Sequence, residues 1–197
     1  MAEDIALALS PRMVQGALLR DAGGERAAES PGGLVRAAQR GDRDAFGRLY
    51  ERFARYVSAI LLARLGHGDA ADLVQEVFLQ AFERLSSLRE PDAFVGWIAA
   101  IARNRATDFL RGRMTTVPFD REPREESTVE SAIDAHAALR AIQRLPDAYR
   151  ETLILRLVEG LTGPEIAAIT GLTPASVRVN LHRGFKLLRE ALGADHD

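Results

Sequence analysis

The stretch LTGPEIAAITGLTPASVRVNLHRGFKLLRE, residues 161–190, decides the fold. Thr162 stands three residues before Glu165, the spacing of a capping box, and Pro164 falls in the first turn, where amides have no intrahelical partner anyway. Ile166, Ala167 and Ile169 give the helix that starts there an apolar side. Gly171 can take the left-handed conformation that stops it, and Thr173-Pro174 repeats the start signal for a second helix. On a helical wheel Val177, Leu181, Gly184, Phe185 and Leu188 share one arc, and Arg178, Val179, His182, Arg183, Lys186 and Arg189 take the opposite one. Two helices meeting at a short glycine turn, the second apolar behind and cationic in front, form the helix-turn-helix that lays a recognition helix in the major groove of DNA. A solvated charged face on a small bundle carries the same pattern.

Working outward, Pro146-Asp147 starts a helix whose Tyr149, Leu153, Ile154 and Leu157 share a face up to Gly160, and helical periodicity reaches back to about Val129. Residues 114–131 lose that periodicity. They are rich in Pro, Glu, Ser and Thr, with Asp120, Glu122, Glu125, Glu126 and Glu130 outnumbering Arg121 and Arg124, which predicts a flexible acidic linker.

Before the linker, apolar residues again recur at threes and fours. Asp42 can cap a long helix carrying Phe46, Leu49, Tyr50, Phe53, Val57, Ile60, Leu61 and Leu65. Asp69 can cap the next, from Ala70 to Leu85, with Val74, Phe78, Ala81, Phe82 and Leu85 as its core stripe. Its other side mixes Asp72, Gln75, Glu76 and Gln80 with Leu73 and Val77. Such an acidic and apolar shoulder suits docking onto a basic partner helix, though the two apolar residues fit a widened core stripe equally well. Pro91 breaks the chain, Asp92 can cap, and Ala93 to about Arg113 reads as a helix running from Phe94, Trp97, Ile98 and Ile101 into Arg103, Asn104, Arg105, Arg111 and Arg113. Aromatic faces beside guanidinium groups can hold an unpaired strand by stacking and phosphate contact. For the two aromatics the core reading leads, because buried rings are the default, and Arg105 can pair with Asp108 instead.

Composition narrows the classes. A formal charge of −2 excludes general adhesion to DNA, so any nucleic-acid contact comes from local clusters. The absence of cysteine excludes disulfides, thiol catalysis and thiolate metal sites within this chain. His67, His136, His182 and His196 are too scattered for a metal cluster, and no nucleophile-base pair or phosphate-cradling loop stands out, so neither a cofactor nor an enzyme is expected. No apolar run is long enough to cross a bilayer, and Glu3 and Asp4 stand where a signal peptide needs positive charge, which predicts a cytoplasmic protein without membrane insertion. Residues 1–33, with Gly23-Gly24 and Pro31-Gly32-Gly33, read as a flexible leader with one helical piece near Val14 to Arg20.

The predicted fold is therefore all-α: two small helical domains, residues 34–113 and 132–192, joined by the linker at 114–131, the C-terminal one a helix-turn-helix. In that order and spacing the blocks GDRDAFGRLYERF, DAADLVQEVFLQAF, FVGWIAAIARNRATDFLRGR and LPDAYRETLILRLVEGLTGPEIAAITGLTPASVRVNLHRGFKLLRE resemble the extracytoplasmic-function (ECF) group of bacterial RNA polymerase sigma factors. The resemblance implies binding to core RNA polymerase and promoter DNA, recognition of the −35 and −10 elements, promoter melting, and control by an anti-sigma factor. By position it assigns Asp72, Leu73, Gln75, Glu76 and Phe78 to polymerase docking. Leu88 to Asp92, including Arg89 and Asp92, falls at the loop that captures a flipped −10 base, Phe94 and Trp97 in the melting segment, and Arg103, Asn104, Arg111 and Arg113 in its upstream-facing helix. Arg178, Val179, His182, Arg183 and Lys186 fall at the −35 element, where Val179 is expected to meet a thymine methyl. Two other classes stay open: a stand-alone helix-turn-helix regulator, which would leave the docking shoulder idle, and a sigma-mimicking decoy for an anti-sigma protein, which would not need the cationic face.

Overall fold

The computed structural model describes residues 30–65, 67–115 and 130–194, with side chains placed at all of these except 67–68, 114–115, 130–136 and 194. The helical piece near Val14 and most of the expected linker lie outside the described residues. Within them every regular element is a helix.

The first helix, α1, spans Pro31–Gln39 and starts inside the stretch read as leader. Pro-Gly-Gly looks like loop, yet Pro31 sits where a helix tolerates proline, and the Ser30 hydroxyl accepts a hydrogen bond from the Gly33 N–H at 3.0 Å. At Gly32 the helix passes close to Asp92, whose exposed carboxylate would have to move aside for an added Cβ.

α2 (Arg43–Leu62) begins as its sequence indicates, with Asp42 Oδ1 accepting from the Ala45 N–H at 3.0 Å. It buries Leu49, Phe53, Tyr56, Val57, Ile60 and Leu61 and is the axis of the N-terminal unit, packing against α1, α3 and α4. α3 (His67–Arg84) starts earlier than expected, so Asp69 lies in its first turn, near the positive end of the helix dipole. Two single-turn 3-10 segments, Leu85–Ser87 and Pro91–Ala93, lead into α4 (Phe94–Thr115). Phe94 is fully buried and meets Phe53 edge-on at 5.5 Å between ring centres, tying α4 to α2.

The C-terminal unit comprises α5 (Glu130–Arg144), α6 (Asp147–Leu157), α7 (Gly163–Thr170) and α8 (Pro174–Ala194). The local signals of residues 161–190 appear as hydrogen bonds. The Thr162 N–H donates to Glu165 Oε2 at 2.7 Å, Gly171 ends α7 at φ 73°, and Thr173 Oγ1 accepts from the Ser176 N–H at 3.1 Å. α8 lies across α6 with Gly184 at the crossing: a Cβ there would sit 3.0 Å from Leu153 Cδ1 and 3.3 Å from Tyr149 Cβ. The two units also pack on each other, α2 against α6 and α4 against α7, so that one apolar core runs from Leu34 to Leu188.

Candidate nucleic-acid interface

On α8 the wheel separates as drawn. Val177, Gly184 and Leu188 are buried, Leu181 and Phe185 half-buried, and Arg178, Val179, His182, Arg183 and Lys186 exposed. Among the described residues no carboxylate pairs with Arg178 or Arg183, and Lys186 faces Glu190 at 3.9 Å in an exposed pair that water screens. Val179, 44% exposed, is an apolar spot within this cationic face. Asn180 points back and donates through Nδ2 to the Ala148 carbonyl at 2.9 Å, setting the helix against α6. Nothing in the local pattern marked it for that role.

The cationic end of α4 does not act as one unit. Asn104 and Arg111 open into a cleft of about 370 Å³ between α3 and α4, which Gln80, Arg84, Ile101, Arg105, Thr107 and Asp108 also line. Gln80 and Arg84 come one turn apart on α3, and the sequence reading assigned neither to nucleic acid. Arg105 pairs with Glu76 across the helices, Nε to Oε2 at 2.8 Å, instead of with Asp108, whose partner is Arg111 at 3.9 Å. Arg113 reaches Asp69 at 2.6 Å. Arg103 turns to the opposite side, toward the C-terminal unit. Arg89 is exposed, and Asp92 pairs with Arg36 at 3.6 Å. The rings of Phe94 and Trp97 lie 5.9 Å apart and tilted by 43°, Phe94 fully buried and Trp97 half-buried against the core, so Phe94 has no face to offer a base.

On α3 the acidic half of the shoulder, Asp72, Gln75 and Glu76, is exposed, whereas Leu73, Val77 and Phe78 are buried. The apolar residues widen the core stripe, as the competing reading had it, and Leu73 and Phe78 support the shoulder from behind without presenting a surface. The exposed apolar area lies further along: Leu79 at 61%, Phe82 at 48% and Tyr50 at 39%. Phe82 was read as core. It sits at the rim, its ring edge-on to Phe46 in the first turn of α2 with centres 4.9 Å apart, and stays half exposed.

Comparison with known proteins follows this geometry. Residues 49–116 match the family described as Sigma-70 region 2, and residues 135–188 match Sigma-70, region 4. The RNA polymerase sigma factor CarQ of Myxococcus xanthus is 33% identical over 160 residues, covering 78% of this chain and 92% of CarQ. The ECF RNA polymerase sigma-E factor of Escherichia coli is 31% identical over 176 residues, covering 81% of this chain and 90% of that protein. This chain belongs to the ECF group of sigma-70 family sigma factors. The fold agrees. CnrH, solved in complex with the cytosolic domain of CnrY, superposes with a TM-score of 0.61 at 25% identity, covering 84% of this chain and 98% of CnrH. The sigma factor RpoE of Bartonella quintana, solved with the anti-sigma factor NepR, shares the fold with a TM-score of 0.53 at 21% identity and 76% coverage of this chain.

In this sigma factor, region 2 therefore corresponds to most of α2 with α3 and α4, and region 4 to α5–α8. Polar side chains bridge the two regions. Arg103 of α4 makes a two-pronged ion pair with Glu151 of α6, Nη2 to Oε1 at 2.9 Å and Nε to Oε2 at 3.1 Å, and Nη2 also donates to the Ile169 carbonyl at 2.9 Å. Gln143 Nε2 of α5 donates to the Leu62 carbonyl at 2.9 Å and to the Leu65 carbonyl. Arg55 faces Glu159 at 3.4 Å, where burial pushes the Glu159 carboxyl above the usual glutamate range and the Arg55 charge pulls it back only in part. No linear motif announced these bridges, since the partners lie 48 and 81 residues apart.

Among the described residues no group of His, Cys, Asp and Glu could hold a metal ion, and no helix is long and apolar enough to cross a membrane.

Proposed function

We propose that this ECF sigma factor joins core RNA polymerase through the exposed acidic shoulder of α3, holds the −10 region along the α3–α4 cleft, and reads the −35 element with α8. Asp72, Gln75 and Glu76 dock, with Leu73 and Phe78 fixing their helix. Asn104, Arg111 and Arg113 face the −10 duplex and strand, with Arg84 beside them, while Arg89 and Asp92 flank the base-capturing loop and Trp97 braces the melting segment. Arg178 and Arg183 contact base edges, Lys186 and Arg189 contact phosphates, His182 lies beside them, and Val179 meets a thymine methyl. The polymerase performs all nucleotidyl transfer, in the cytoplasm, and no residue of this chain is catalytic.

The observation that carries the reading is the α8 face, whose Arg178 and Arg183 are exposed and have no acidic partner among the described residues. Guanidinium groups left unpaired on a rigid helix are available to base edges and phosphates. The similarity to CnrH and to the Bartonella RpoE, both solved with protein partners, supports an anti-sigma factor as a further partner.

The test is run-off transcription with purified core polymerase on templates selected for binding. Promoter-specific transcripts that need this chain support the reading. Duplex binding that is independent of polymerase and gives no transcript makes the chain a stand-alone regulator instead, and neither activity makes it a decoy.

A further inference from the structure

The segment that joins α3 to α4 makes two single 3-10 turns, Leu85–Ser87 and Pro91–Ala93, and α1 packs against both. Turns of this kind are weak alone, because their hydrogen bonds are few and poorly aligned. In the first the Leu88 N–H donates to the Leu85 carbonyl at 3.1 Å, and in the second the Ala93 N–H donates to the Glu90 carbonyl at 2.9 Å. α1 adds what the turns lack. Gln39, in its last turn, donates through Nε2 to the Leu85 carbonyl at 2.9 Å and to the Leu88 carbonyl at 2.8 Å. Both partners are acceptors, so only the NH2 end of the amide can serve, and its two N–H groups match the two carbonyls. One side chain thereby ties the start of the first turn to its end.

A second tie holds the other side of the loop. Arg36 of α1 meets Asp92 at 3.6 Å, and at Gly32 the helix runs so near that an added Cβ would lie 3.4 Å from Asp92 Cα. The ion pair is exposed and screened by water, so Gln39 is the stronger tie. Between the two stand Arg89, Glu90 and Pro91. Proline fixes its own φ and turns the residue before it toward extended backbone, which Glu90 adopts at φ −108° and ψ 93°. The Arg89 and Glu90 side chains are exposed and pair with nothing among the described residues. The result is a short tip, fixed at both ends, that presents unpaired polar groups.

We propose that α1, which precedes the residues matching Sigma-70 region 2, is the platform that shapes the base-capturing loop, and that Gln39 is a positioning residue for base selectivity in the −10 element. The inference rests on the reading of residues 88–92 given above. Reading the edge of an extruded base needs polar groups held to within about 0.5 Å, and a loop free to wander accepts any base. Gln39 touches no DNA in this scheme. It removes the alternative shapes that Arg89 and its neighbours would otherwise adopt, so the loop meets the base already ordered.

The test uses holoenzyme assembled from core RNA polymerase and the full chain, on promoter templates in which each −10 position carries the four bases in turn. Arg89→Ala identifies the position the loop reads, as the one whose base preference changes. Gln39→Met keeps the bulk of the side chain and removes its donors. It is expected to lower discrimination at that position about tenfold, the loss of two hydrogen bonds, and to leave discrimination in the −35 element unchanged. Gln39→Lys, whose ammonium can donate to both carbonyls, is expected to restore it. Arg36→Ala loosens the other tie, lowers discrimination at the same position about twofold, and serves if Gln39→Met fails to fold. Independently of DNA, amide hydrogen exchange at Leu88 in the full chain is expected to run about tenfold faster in Gln39→Met.

Unchanged exchange at Leu88 overturns the proposal. So does a Gln39→Met holoenzyme that keeps wild-type discrimination at the loop's position, or that loses it equally in the −35 element, as a general loss of stability would do. If Arg89→Ala moves no position while exchange at Leu88 still quickens, the loop reads no base: the base-capturing reading fails and the selectivity role with it, whereas the tie from Gln39 to the loop stands.

Discussion

Gly184 stands where α8 crosses α6, and replacing it with alanine sets two terms of opposite sign against each other. In a free helix the change stabilises by about 0.5–1 kcal/mol, because glycine loses more backbone freedom on folding. In this chain the new methyl would lie 3.0 Å from Leu153 Cδ1, 3.1 Å from its Cγ and 3.3 Å from Tyr149 Cβ. Leu153 is fully buried within the region 4 core, so it cannot swing aside without displacing its neighbours. Overpacking of this kind costs about 1–3 kcal/mol, which outweighs the helical gain and leaves Gly184→Ala destabilised by about 1–2 kcal/mol. Gly193 is the internal control. It lies near the end of the same helix with nothing within 4 Å of its would-be Cβ, so Gly193→Ala should be neutral or slightly stabilising. Urea unfolding followed by circular dichroism measures both. If Gly184→Ala proves as stable as wild type, or more so, the tight α6–α8 crossing is wrong, and with it the presentation of the reading face.

Other predictions follow from single residues. Arg178→Ala should weaken binding to a cognate −35 duplex by about 1–3 kcal/mol and relax its selectivity, measured as holoenzyme titrations against cognate and scrambled DNA; equal loss on both would reduce Arg178 to a phosphate contact. Phe94→Ala empties the centre of the α2–α4 contact and should cost about 3–5 kcal/mol in the same unfolding assay, whereas a surface stacking residue would cost little. At Glu159 the folded chain binds a proton more tightly than the unfolded one, so this group's contribution falls as pH rises from the ordinary glutamate value through the raised folded one and stays lost above it. Glu159→Gln should therefore flatten the decline in stability across that window, and an unchanged pH profile would show that burial does not govern this carboxyl.

What could be read from the chain divides by range. Signals that act within four residues, the Asp42 cap, the Thr162–Glu165 box, Gly171 and Thr173, appear as hydrogen bonds or a left-handed turn where they were expected. Pro31-Gly32-Gly33 misled because a first helical turn tolerates proline, and the Ser30 hydroxyl that caps it stands one residue before the apparent loop. Burial at the edges of a helical stripe depends on which neighbour covers which turn. Thus Phe82, one turn after Phe78 on the same stripe, ends 48% exposed at the rim, while Leu73 and Val77 on the shoulder side are buried in the core. Charge partners were the least legible. Arg105 had Asp108 one turn away in sequence and chose Glu76 across the helix pair, and Arg103 found Glu151 in the other region. A wheel lists which charges share a face, whereas tertiary packing decides which of them meet.

The central claim is that this chain confers promoter choice on a polymerase that lacks it. Random DNA selected for binding, with core polymerase present and absent, tests it most directly. The account predicts enrichment of two separate sequence blocks at a fixed spacing, and only when polymerase is present. A single palindromic block recovered equally well without polymerase would contradict it.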